Sequence, residues 1–303
     1  MFPGELRTFH AVAQSGSIRK ASRALGVAPS SVSRQVALLE HQMGTELLQR
    51  TATGIVLTHA GTLVADYARS VVLDYDSLRS DLNDVRGRRR LIRVAAVESS
   101  ISGGLIQALA ELRSRFDRVA FRVKMTPALD VVDEVTRGEC DVGLGFCVQP
   151  HPDINMVARI PEPIVLVVPV DHALAQARSV TVRDLKGLAL ALPDLNFGIR
   201  RIFDRASHDS GLEPGLMPAL TTNTFEAMRD FVRCRAGVAI LPRRAVVGEQ
   251  DMRRLVAIAL EGEEFAQTTI DIVTLRKQRT PRLVSTFIEQ LVRTFRAPVP
   301  ARK

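Results

Sequence analysis

The segment SGSIRKASRALGVAPSSVSRQVALLE, residues 15–40, decides the fold of the N-terminal part of the chain. Its apolar residues recur at helical spacing on either side of a short break, Gly26-Val27-Ala28-Pro29. Glycine is favoured just after a helix ends, and proline is tolerated in the first turn of the next helix. The segment therefore predicts two short helices joined by a tight turn.

The second of these helices begins with a set of polar residues that is not typical of a buried helix. Short hydroxyl-bearing side chains let a helix backbone approach another surface closely, and a disordered linker would not carry the leucines and valines that follow. Capping and hydrogen bonding within the helix are an equally good explanation for two of the serines, Ser31 and Ser33. The full set is Ser30, Ser31, Ser33, Arg34 and Gln35.

A further helix is predicted before this pair, over about residues 3–14, and Ser17 is a candidate N-cap for the middle helix. Small residues at Ala21, Ser22 and Ala24 would let the helices approach one another. The three helices form a helix-turn-helix pattern. We expect its core to contain Leu6, Phe9, Val12, Ala13, Ile18, Ala21, Leu25, Val32, Val36, Leu39 and Met43.

A hairpin and a long helix are predicted next. The strand-like runs LLQR and IVLT flank residues 51–54, and Thr58 is placed to cap a helix that extends to about Arg86. Within that helix the apolar residues alternate at spacings of four and three, as in a coiled-coil seam, over about two heptads. Packing of the helix onto its own domain is the alternative. The seam residues are Val71, Tyr75, Leu78, Leu82 and Val85.

The hinge predicted after this helix contains Gly87 and the basic run Arg88-Arg89-Arg90, which we expect to be exposed to solvent, with phosphate contacts as the alternative. From Leu91 onward, β-branched runs such as LIRVAAV and PIVLVVP alternate with helical stretches. This alternation predicts an α/β fold with largely parallel strand pairing. The fold class is therefore α/β, with an N-terminal helical domain.

The composition of the 303-residue chain favours contact with a polyanion. Its 41 Lys and Arg exceed its 33 Asp and Glu, which gives a net charge of +8 and a pI near 10.1. The start MFPGELRTFH lacks the features of a signal peptide, and no apolar run approaches the roughly 18 residues that a membrane span needs. We therefore expect a cytoplasmic protein with no membrane partner.

The motifs S-G-S-I-x-x-A-S-x-x-L-G-V-x-P-S-S-V-S-R-Q-V-x-L-L-E, M-G-x-x-L-L-x-R and L-T-x-A-G resemble the winged helix-turn-helix of LysR-type transcriptional regulators. VDHALA at residues 170–175 and RAGVAILP at residues 235–242 resemble motifs of that family's effector-binding part. The resemblance implies a homodimer paired through long linker helices, often a tetramer, and a two-lobed effector domain like that of periplasmic binding proteins. A double-stranded DNA operator, a small organic effector and RNA polymerase are the implied partners.

This resemblance places the DNA-binding domain at residues 1–60, the linker helix and hinge at 61–90, and the effector-binding domain at 91–303. Because the lobes exchange strands, lobe one is expected to hold residues 91–160 and 266–296, and lobe two residues 161–265. No cofactor is expected other than a small-molecule co-inducer.

Physical reasoning supports a DNA-binding role for the third helix. The N-terminal residues of a recognition helix face base edges in the major groove, and one arginine can bind guanine through two hydrogen bonds. Arg34 matches the family's DNA-contacting position, while Lys20 and Arg50 are expected to contact phosphates. Thr58 is expected to cap the linker helix and meet the DNA backbone. The predicted DNA-binding residues are Lys20, Pro29, Ser30, Ser31, Ser33, Arg34, Gln35, Arg50, Thr53 and Thr58.

Thr53 is a departure from the family pattern, which often has arginine at this wing position. We therefore expect weaker recognition of the minor groove, with Arg19 and Arg23 as possible compensation or as merely solvated side chains. Residues 1–60 carry six basic and three acidic side chains, so affinity would depend on two or more docked domains.

The effector site is predicted at the loops that follow strands, since ligands in open α/β sheets bind beyond the carboxyl ends of strands. Hydroxyl and amide groups with two phenylalanines suit a small organic acid, and ordinary loop and capping roles are the alternative. Arg200 and Arg201 are more readily explained as a solvated helix face than as its counter-ions. The predicted effector-binding residues are Ser99, Ser100, Ile101, Thr126, Pro127, Phe146, Leu195, Asn196, Phe197, Thr222, Asn223 and Thr224.

Other classes of function have less support in the sequence. It contains no G-x-S-x-G, H-E-x-x-H or G-x-x-x-x-G-K motif, and its six histidines show no metal-ligand spacing, so we expect no catalytic and no metal site. A solute-binding protein would share the two-lobed fold but not residues 1–60. The three cysteines, Cys140, Cys147 and Cys234, are expected to be buried and structural, with thiol sensing as the alternative.

Overall fold

The computed structural model of the protein describes residues 4–51, 54–85, 90–212, 217–246, 254–276 and 280–297. For positions 50, 73, 76, 77, 79–85 and 102 it describes the backbone but not the side chain. Thr53 and residues 86–89 of the predicted hinge therefore lie outside the described residues, as do the side chains of Arg50, Leu82 and Val85.

The described elements form two units, and the first contains four helices and a hairpin. Leu6, Phe9 and Val12 of the first helix are buried with Ala21 and Leu47 in its core, as the helical spacing predicts. Its elements are α1 (Gly4–Ser15), α2 (Ile18–Leu25), α3 (Pro29–Met43), β1 (Leu48–Thr51), β2 (Gly54–Leu57) and α4 (His59–Val85).

Local signals set the boundaries of α2 and α3. The Ser17 side chain accepts a hydrogen bond from the N–H of Lys20 at 3.4 Å, which caps α2. Gly26 ends α2 with φ of 66°, a left-handed conformation that glycine adopts without steric cost, and Pro29 is the first residue of α3. The tight turn was therefore predictable from the sequence.

The prediction that Met43 belongs to the core is wrong. Val32, Val36 and Leu39 are buried, but Met43 is 48% exposed because α3 ends at this residue, and Gly44 continues in a left-handed conformation. The periodicity of the sequence continued one turn beyond the surface against which the helix packs. Ala24, expected at the helix contact, is also exposed, whereas Ala21 and Ser22 are buried.

The second unit contains the strands and helices that follow α4. A π-helical turn, Ile101–Leu105, joins α5 to α6, and short 3₁₀ turns connect several strands. The helices are α5 (Glu98–Ser100), α6 (Ile106–Arg115), α7 (Val131–Thr136), α8 (Gly198–Asp209), α9 (Phe225–Arg233), α10 (Glu263–Ala266) and α11 (Arg282–Arg296). The strands are β3 (Arg90–Ala96), β4 (Val119–Met125), β5 (Val142–Phe146), β6 (Ile154–Pro161), β7 (Ile164–Pro169), β8 (Ser179–Val180), β9 (Leu190–Pro193), β10 (Leu220–Thr222), β11 (Val238–Pro242), β12 (Leu255–Leu260) and β13 (Thr269–Leu275).

These strands form two sheets, one in each lobe. Lobe one contains the order β4-β3-β5-β13-β6, and lobe two contains β10-β9-β11-β7-β12-β8. The prediction of largely parallel pairing is wrong for the middle of each sheet, because β13 and β7 run antiparallel to both of their neighbours. β7 and β13 are the first strands after the chain passes from one sheet to the other, and each enters its new sheet in the opposite direction.

The two crossing segments are hydrogen-bonded to each other. The N–H of Glu162 donates to the Thr268 carbonyl at 2.8 Å, and the Thr268 hydroxyl donates to the Glu162 carbonyl at 2.5 Å. The Glu162 side chain is fully buried and pairs with Arg244 at 2.8 Å, and burial raises the pKa of Glu162 to about 7. These bonds hold the connection between the lobes at one defined point.

Arg90 is a further correction to the sequence prediction. It was expected in an exposed basic run, but it is the first residue of β3 and only 5% exposed, and its N–H donates to the Arg118 carbonyl at 3.1 Å. Strand pairing with β4 draws this residue into the sheet. Among the described residues, none of the helices has the length and apolar composition that crossing a bilayer requires.

Candidate functional site

The first candidate site is the exposed face of α3. Val32, Val36 and Leu39 pack into the core, which turns Ser30, Ser31 and Arg34 to solvent, while Ser33 is half-buried. The hydroxyls of Ser30, Ser31 and Ser33 and the Arg34 guanidinium make no hydrogen bond or ion pair with another described residue. Hydrogen bonding within the helix, the alternative for the serines, is therefore not observed. Pro29 and Lys20 are also exposed.

Two of the predicted DNA-binding residues are already engaged within the protein. The Gln35 side-chain oxygen accepts a short hydrogen bond from the Thr8 hydroxyl of α1. The Thr58 hydroxyl accepts from the N–H of Gly61 at 2.8 Å and donates to the Glu46 carbonyl at 2.8 Å. Thr58 thus caps α4 as expected, and its donor hydrogen is used by this internal bond.

The hairpin is fixed to α3 by a carboxylate whose role the sequence analysis missed. Glu40 Oε1 accepts hydrogen bonds from the N–H groups of Leu47 and Leu48, at 2.8 and 3.1 Å. An open groove of about 580 Å³ lies between the start of α2 and the hairpin, and Arg19 and Lys20 line it together with Val56. The basic side chains of α2 and the strand β2 therefore border the same groove.

The second candidate site is a cavity between the lobes, of about 210 Å³. It lies beyond the carboxyl ends of parallel strands from both sheets, which are β3, β4 and β5 in lobe one and β9 and β10 in lobe two. This is the position at which open α/β sheets hold ligands. Its lining residues are Val97, Glu98, Ser99, Met125, Thr126, Pro127, Ala128, Phe146, Asp194, Asn196, Phe197, Gly198, Ile199, Asn223 and Phe225.

Seven of the twelve predicted effector-binding residues line this cavity: Ser99, Thr126, Pro127, Phe146, Asn196, Phe197 and Asn223. Ser99 is only 3% exposed, and its hydroxyl makes no hydrogen bond to another described residue. The Thr126 hydroxyl, by contrast, donates a hydrogen bond to Glu134 Oε1 at 3.2 Å, which fixes its orientation.

The other five predicted residues have different surroundings. Ser100 is fully buried, Ile101 packs against the core, and Leu195 is 66% exposed. Thr222 Oγ1 accepts from the N–H of Thr224 at 3.4 Å, and Thr224 caps α9 by accepting from the N–H of Glu226 at 3.2 Å. Thr222 and Thr224 therefore make the loop and capping contacts that were the alternative to effector binding.

Glu98 is the most important residue that the sequence analysis missed. Its Oε1 accepts from the N–H of Phe225 at 2.8 Å and from the Thr224 hydroxyl at 3.3 Å, so a carboxylate of lobe one caps a helix of lobe two. Burial raises the pKa of Glu98, and the Phe225 N–H, the Thr224 hydroxyl and the Arg229 charge oppose this shift. Glu98 thus connects the lobes across the cavity.

The cavity lining contains two acidic side chains, and the organic-acid effector stays a prediction. The lining includes the carboxylates Glu98 and Asp194 but no Lys, Arg or His. Arg200 is bound to Asp204 at 2.8 Å and to the Pro193 carbonyl at 3.2 Å, and neither it nor Arg201 is among the lining residues. The Arg201 guanidinium is nevertheless close to the cavity, because one of its nitrogens is 4.0 Å from the position that a Cβ atom would take on Gly198. Among the described residues, no group of His, Cys, Asp and Glu side chains is arranged to hold a metal ion.

The cysteines differ more in exposure than the sequence analysis expected. Cys140 is buried, Cys147 is intermediate and Cys234, which directly follows α9, is exposed. The expectation of burial is therefore wrong for Cys234, because the helix ends before this residue. Burial raises the pKa of Cys140 to about 12 and also raises the pKa of Cys147.

We expect iodoacetamide at pH 8 to alkylate Cys234 first, Cys147 more slowly and Cys140 only after unfolding, because the reactive species is the accessible thiolate. Mass spectrometry of peptides from the timed reaction measures this order, and Cys234→Ser serves as the control that removes the fast phase. Early labelling of Cys140 in the folded protein would contradict its burial.

Comparison with known proteins identifies the family of the chain. A family model described as "Bacterial regulatory helix-turn-helix protein, lysR family" matches residues 3–62, and one described as "LysR substrate binding domain" matches residues 86–296. The chain belongs to the LysR family. This LysR-type protein is a DNA-binding transcriptional regulator with an effector-binding domain, as the resemblance implied.

Individual relatives of the LysR-type chain carry regulator names. The uncharacterized HTH-type transcriptional regulator YfeR of Shigella flexneri is 31% identical over 247 residues, which cover 80% of this chain and 78% of the relative. The RuBisCO operon transcriptional regulator of Allochromatium vinosum is 26% identical over 258 residues, which cover 85% of each chain.

Solved structures share the fold of the LysR-type chain. A full-length OxyR variant from Pseudomonas aeruginosa has a TM-score of 0.68 at 19% identity, over 98% of this chain and 95% of that chain. Full-length CbnR in complex with its target DNA has a TM-score of 0.56 at 21% identity, over 97% of this chain and 100% of that chain. At these identities the likeness concerns the fold alone.

Proposed function

We propose that this LysR-type regulator recognises its operator through α3, with Arg34 as the main base-contacting residue and Ser30, Ser31 and Ser33 at the groove. The observation that supports this is the exposed polar face of α3, whose hydroxyl and guanidinium groups have no partner among the described residues. Lys20 and Arg50 contact phosphates, and Thr53 contacts the minor groove more weakly than an arginine would. A related structure contains target DNA, which agrees with this role.

The operator is bound by a homodimer that pairs through α4. Leu63, Tyr67, Tyr75 and Leu78 are 62%, 61%, 45% and 52% exposed in the single chain. Their spacings of four, eight and three residues place them on one broad face of the helix. An apolar stripe of this kind on a 27-residue helix is suited to a second copy of itself. As the family resemblance implies, we also propose that the protein forms a homotetramer, contacts RNA polymerase and is located in the cytoplasm.

A small molecule in the cavity between the lobes controls this DNA binding. The supporting observation is Ser99, which lines the cavity, is 3% exposed and makes no side-chain hydrogen bond to another described residue. A buried polar group without a partner costs stability unless a ligand or water satisfies it. A bound effector would supply that partner and would contact both lobes at once.

An organic acid, the effector class predicted from the sequence, would have to place its carboxylate at Ser99 and away from Glu98 and Asp194. The two acidic side chains of the lining oppose the binding of such an acid by like-charge repulsion. The cavity itself, rather than the charge of its ligand, is what the proposed function requires.

Ser99→Ala should weaken effector binding about 3- to 10-fold, since one hydrogen bond contributes roughly 0.5–1.5 kcal/mol. The melting temperature of the unliganded protein should not fall, because the hydroxyl makes no internal bond among the described residues. Calorimetric titration measures the change with whichever compound, from a screen of small aromatic acids, amides and amines, most stabilises the full-length chain.

Ser114→Ala is the matched control, because Ser114 is an exposed serine of α6 outside the cavity lining. Both variants should retard operator DNA as the unmodified protein does in the absence of effector. An unchanged dissociation constant for Ser99→Ala would refute the assignment of the effector to this cavity.

A further inference from the structure

We propose that the effector is a small apolar cation, an amine or quaternary ammonium compound, held between Glu98 and Asp194 against aromatic rings of both lobes. This inference rests on the proposed function of the cavity as the effector site and names the chemical class that the site accepts. It replaces the organic acid that the sequence suggested.

The first argument is the charge of the lining. Glu98 belongs to lobe one and Asp194 to lobe two, so a ligand between the lobes meets a carboxylate on either side. None of the described lining residues is Lys, Arg or His, although Arg229 contributes a positive charge at Glu98. The Asp194 side chain makes no hydrogen bond or ion pair with another described residue, although the residue is half-buried. A cation in the cavity would be attracted by both groups, whereas an anion would be repelled by both.

The second argument is the burial of Glu98. Desolvation is the largest influence on this carboxyl and raises its pKa, although the first N–H of α9 and the Arg229 charge both favour the ionised form. Arg229 is itself engaged with the Ala245 carbonyl at 2.5 Å and pairs with Glu226. A cationic ligand in the cavity would add a further favourable interaction with this partly desolvated carboxylate.

The third argument is the aromatic surface of the cavity. Phe146 of lobe one and Phe197 and Phe225 of lobe two line it, and the Phe197 and Phe225 rings lie 5.5 Å apart at an interplanar angle of 58°. Phe146 packs so closely on Gly198 that a Cβ there would be 2.9 Å from its Cδ1 atom. Ring faces attract ammonium groups, and carboxylates combined with aromatic rings form a site typical of amine recognition.

The size of the site and Ser99 complete the description. The volume of about 210 Å³ is smaller than the roughly 300–1,000 Å³ of pockets for drug-sized ligands, so it suits one ring with a short side chain. The Ser99 hydroxyl can accept a hydrogen bond from an ammonium N–H or donate one to a ligand oxygen, so it tolerates either ligand class. Selection by charge therefore depends on Glu98 and Asp194.

The test uses three probes that share a phenyl ring and differ in charge: 2-phenylethylamine, phenylacetamide and phenylacetate. Calorimetric titration of the full-length protein at pH 7.5 should give at least a tenfold smaller dissociation constant for the amine than for the amide, and the weakest binding for phenylacetate. Glu98→Gln keeps an oxygen that can accept the hydrogen bonds of α9, and it should weaken amine binding about tenfold while leaving amide binding unchanged.

Asp194→Asn should have the same direction of effect, and because Asp194 is half-buried and makes no described hydrogen bond, this second variant should fold normally. Asp117→Asn, a change of the same charge at an exposed loop residue, is the control. Tighter binding of phenylacetate than of the amine would overturn the charge assignment and leave the cavity as the effector site. Amine binding that neither Glu98→Gln nor Asp194→Asn weakens would also overturn it, and binding of none of the probes would overturn both proposals.

Discussion

We expect Arg34→Ala to abolish operator-specific retardation without changing the oligomeric state of the protein. Arg34 is on the exposed face of α3 and makes no bond within the described protein, so its removal leaves the fold of the N-terminal unit intact. A bidentate contact from arginine to guanine contributes about 1–3 kcal/mol of discrimination. In a dimer that docks two α3 helices, the loss should be about 2–6 kcal/mol, which is roughly 30-fold or more in the dissociation constant.

The experiment requires an operator, which selection of random duplexes against the purified full-length protein would provide. Binding to that duplex and to a scrambled duplex of the same composition is then compared at two salt concentrations. If Arg34 contacts bases, its loss reduces affinity for the operator and spares affinity for the scrambled duplex. If it contacts a phosphate, both affinities fall uniformly and the salt slope decreases by about one for each contact.

Arg34→Lys separates charge from geometry, because lysine keeps the positive charge but lacks the planar fork that binds guanine through two hydrogen bonds. We expect it to bind the scrambled duplex as the unmodified protein does, without recovering operator specificity. Arg113→Ala, at an exposed arginine of α6 in the other unit, is the control. Light scattering measures whether the variant keeps the oligomeric state of the unmodified protein. Retained operator specificity in Arg34→Ala would exclude α3 as the recognition helix.

The N-terminal unit was predictable because its boundaries depend on local chemistry. Ser17, Gly26 and Pro29 act within one helical turn of themselves, and their roles as cap, left-handed terminator and first helical residue follow from residue type alone. The prediction that Met43 is buried was wrong, because its burial depends on where the neighbouring surface ends. The tertiary structure, and not the local sequence, sets that limit.

The cavity between the lobes was predictable in position but not in charge. Its place beyond the strand ends follows from the alternation of strands and helices, and seven predicted residues line it. Glu98 was missed because its partners, Thr224 and Phe225, are more than 120 residues away in sequence, so that no local pattern connects them. The antiparallel strands β7 and β13 were missed for the same reason, since they result from the two crossings between lobes.

Gly61 is the second position at which a single substitution should have a large effect. It is in the first turn of α4, where a Cβ atom would be 2.0 Å from the Leu47 carbonyl oxygen and 2.9 Å from its carbon. The same carbonyl accepts from the N–H of Thr58 at 3.0 Å, and the Leu47 side chain is fully buried in the N-terminal core. The glycine of the L-T-x-A-G motif therefore allows the linker helix to begin directly against the hairpin.

Gly61→Ala should destabilise the N-terminal unit by about 2–3 kcal/mol, since it overpacks this contact and displaces the Thr58 hydrogen bond. For a unit of this size, that corresponds to a fall of roughly 10–20 °C in its melting transition. Differential scanning calorimetry of the full-length chain measures the transition, and the effector-binding unit should melt unchanged. Gly61→Ser should be destabilised to a similar degree, because the Cβ atom itself makes the contact.

Gly4→Ala is the matched control, because a Cβ at Gly4 would have no neighbour within 4 Å and alanine is the better helix former. Its melting transition should be unchanged or higher. If Gly61→Ala melts as the unmodified protein does and still binds the operator, the start of α4 does not approach the Leu47 carbonyl. The linker helix would then lack the rigid junction with the hairpin that the proposed presentation of α3 to DNA requires.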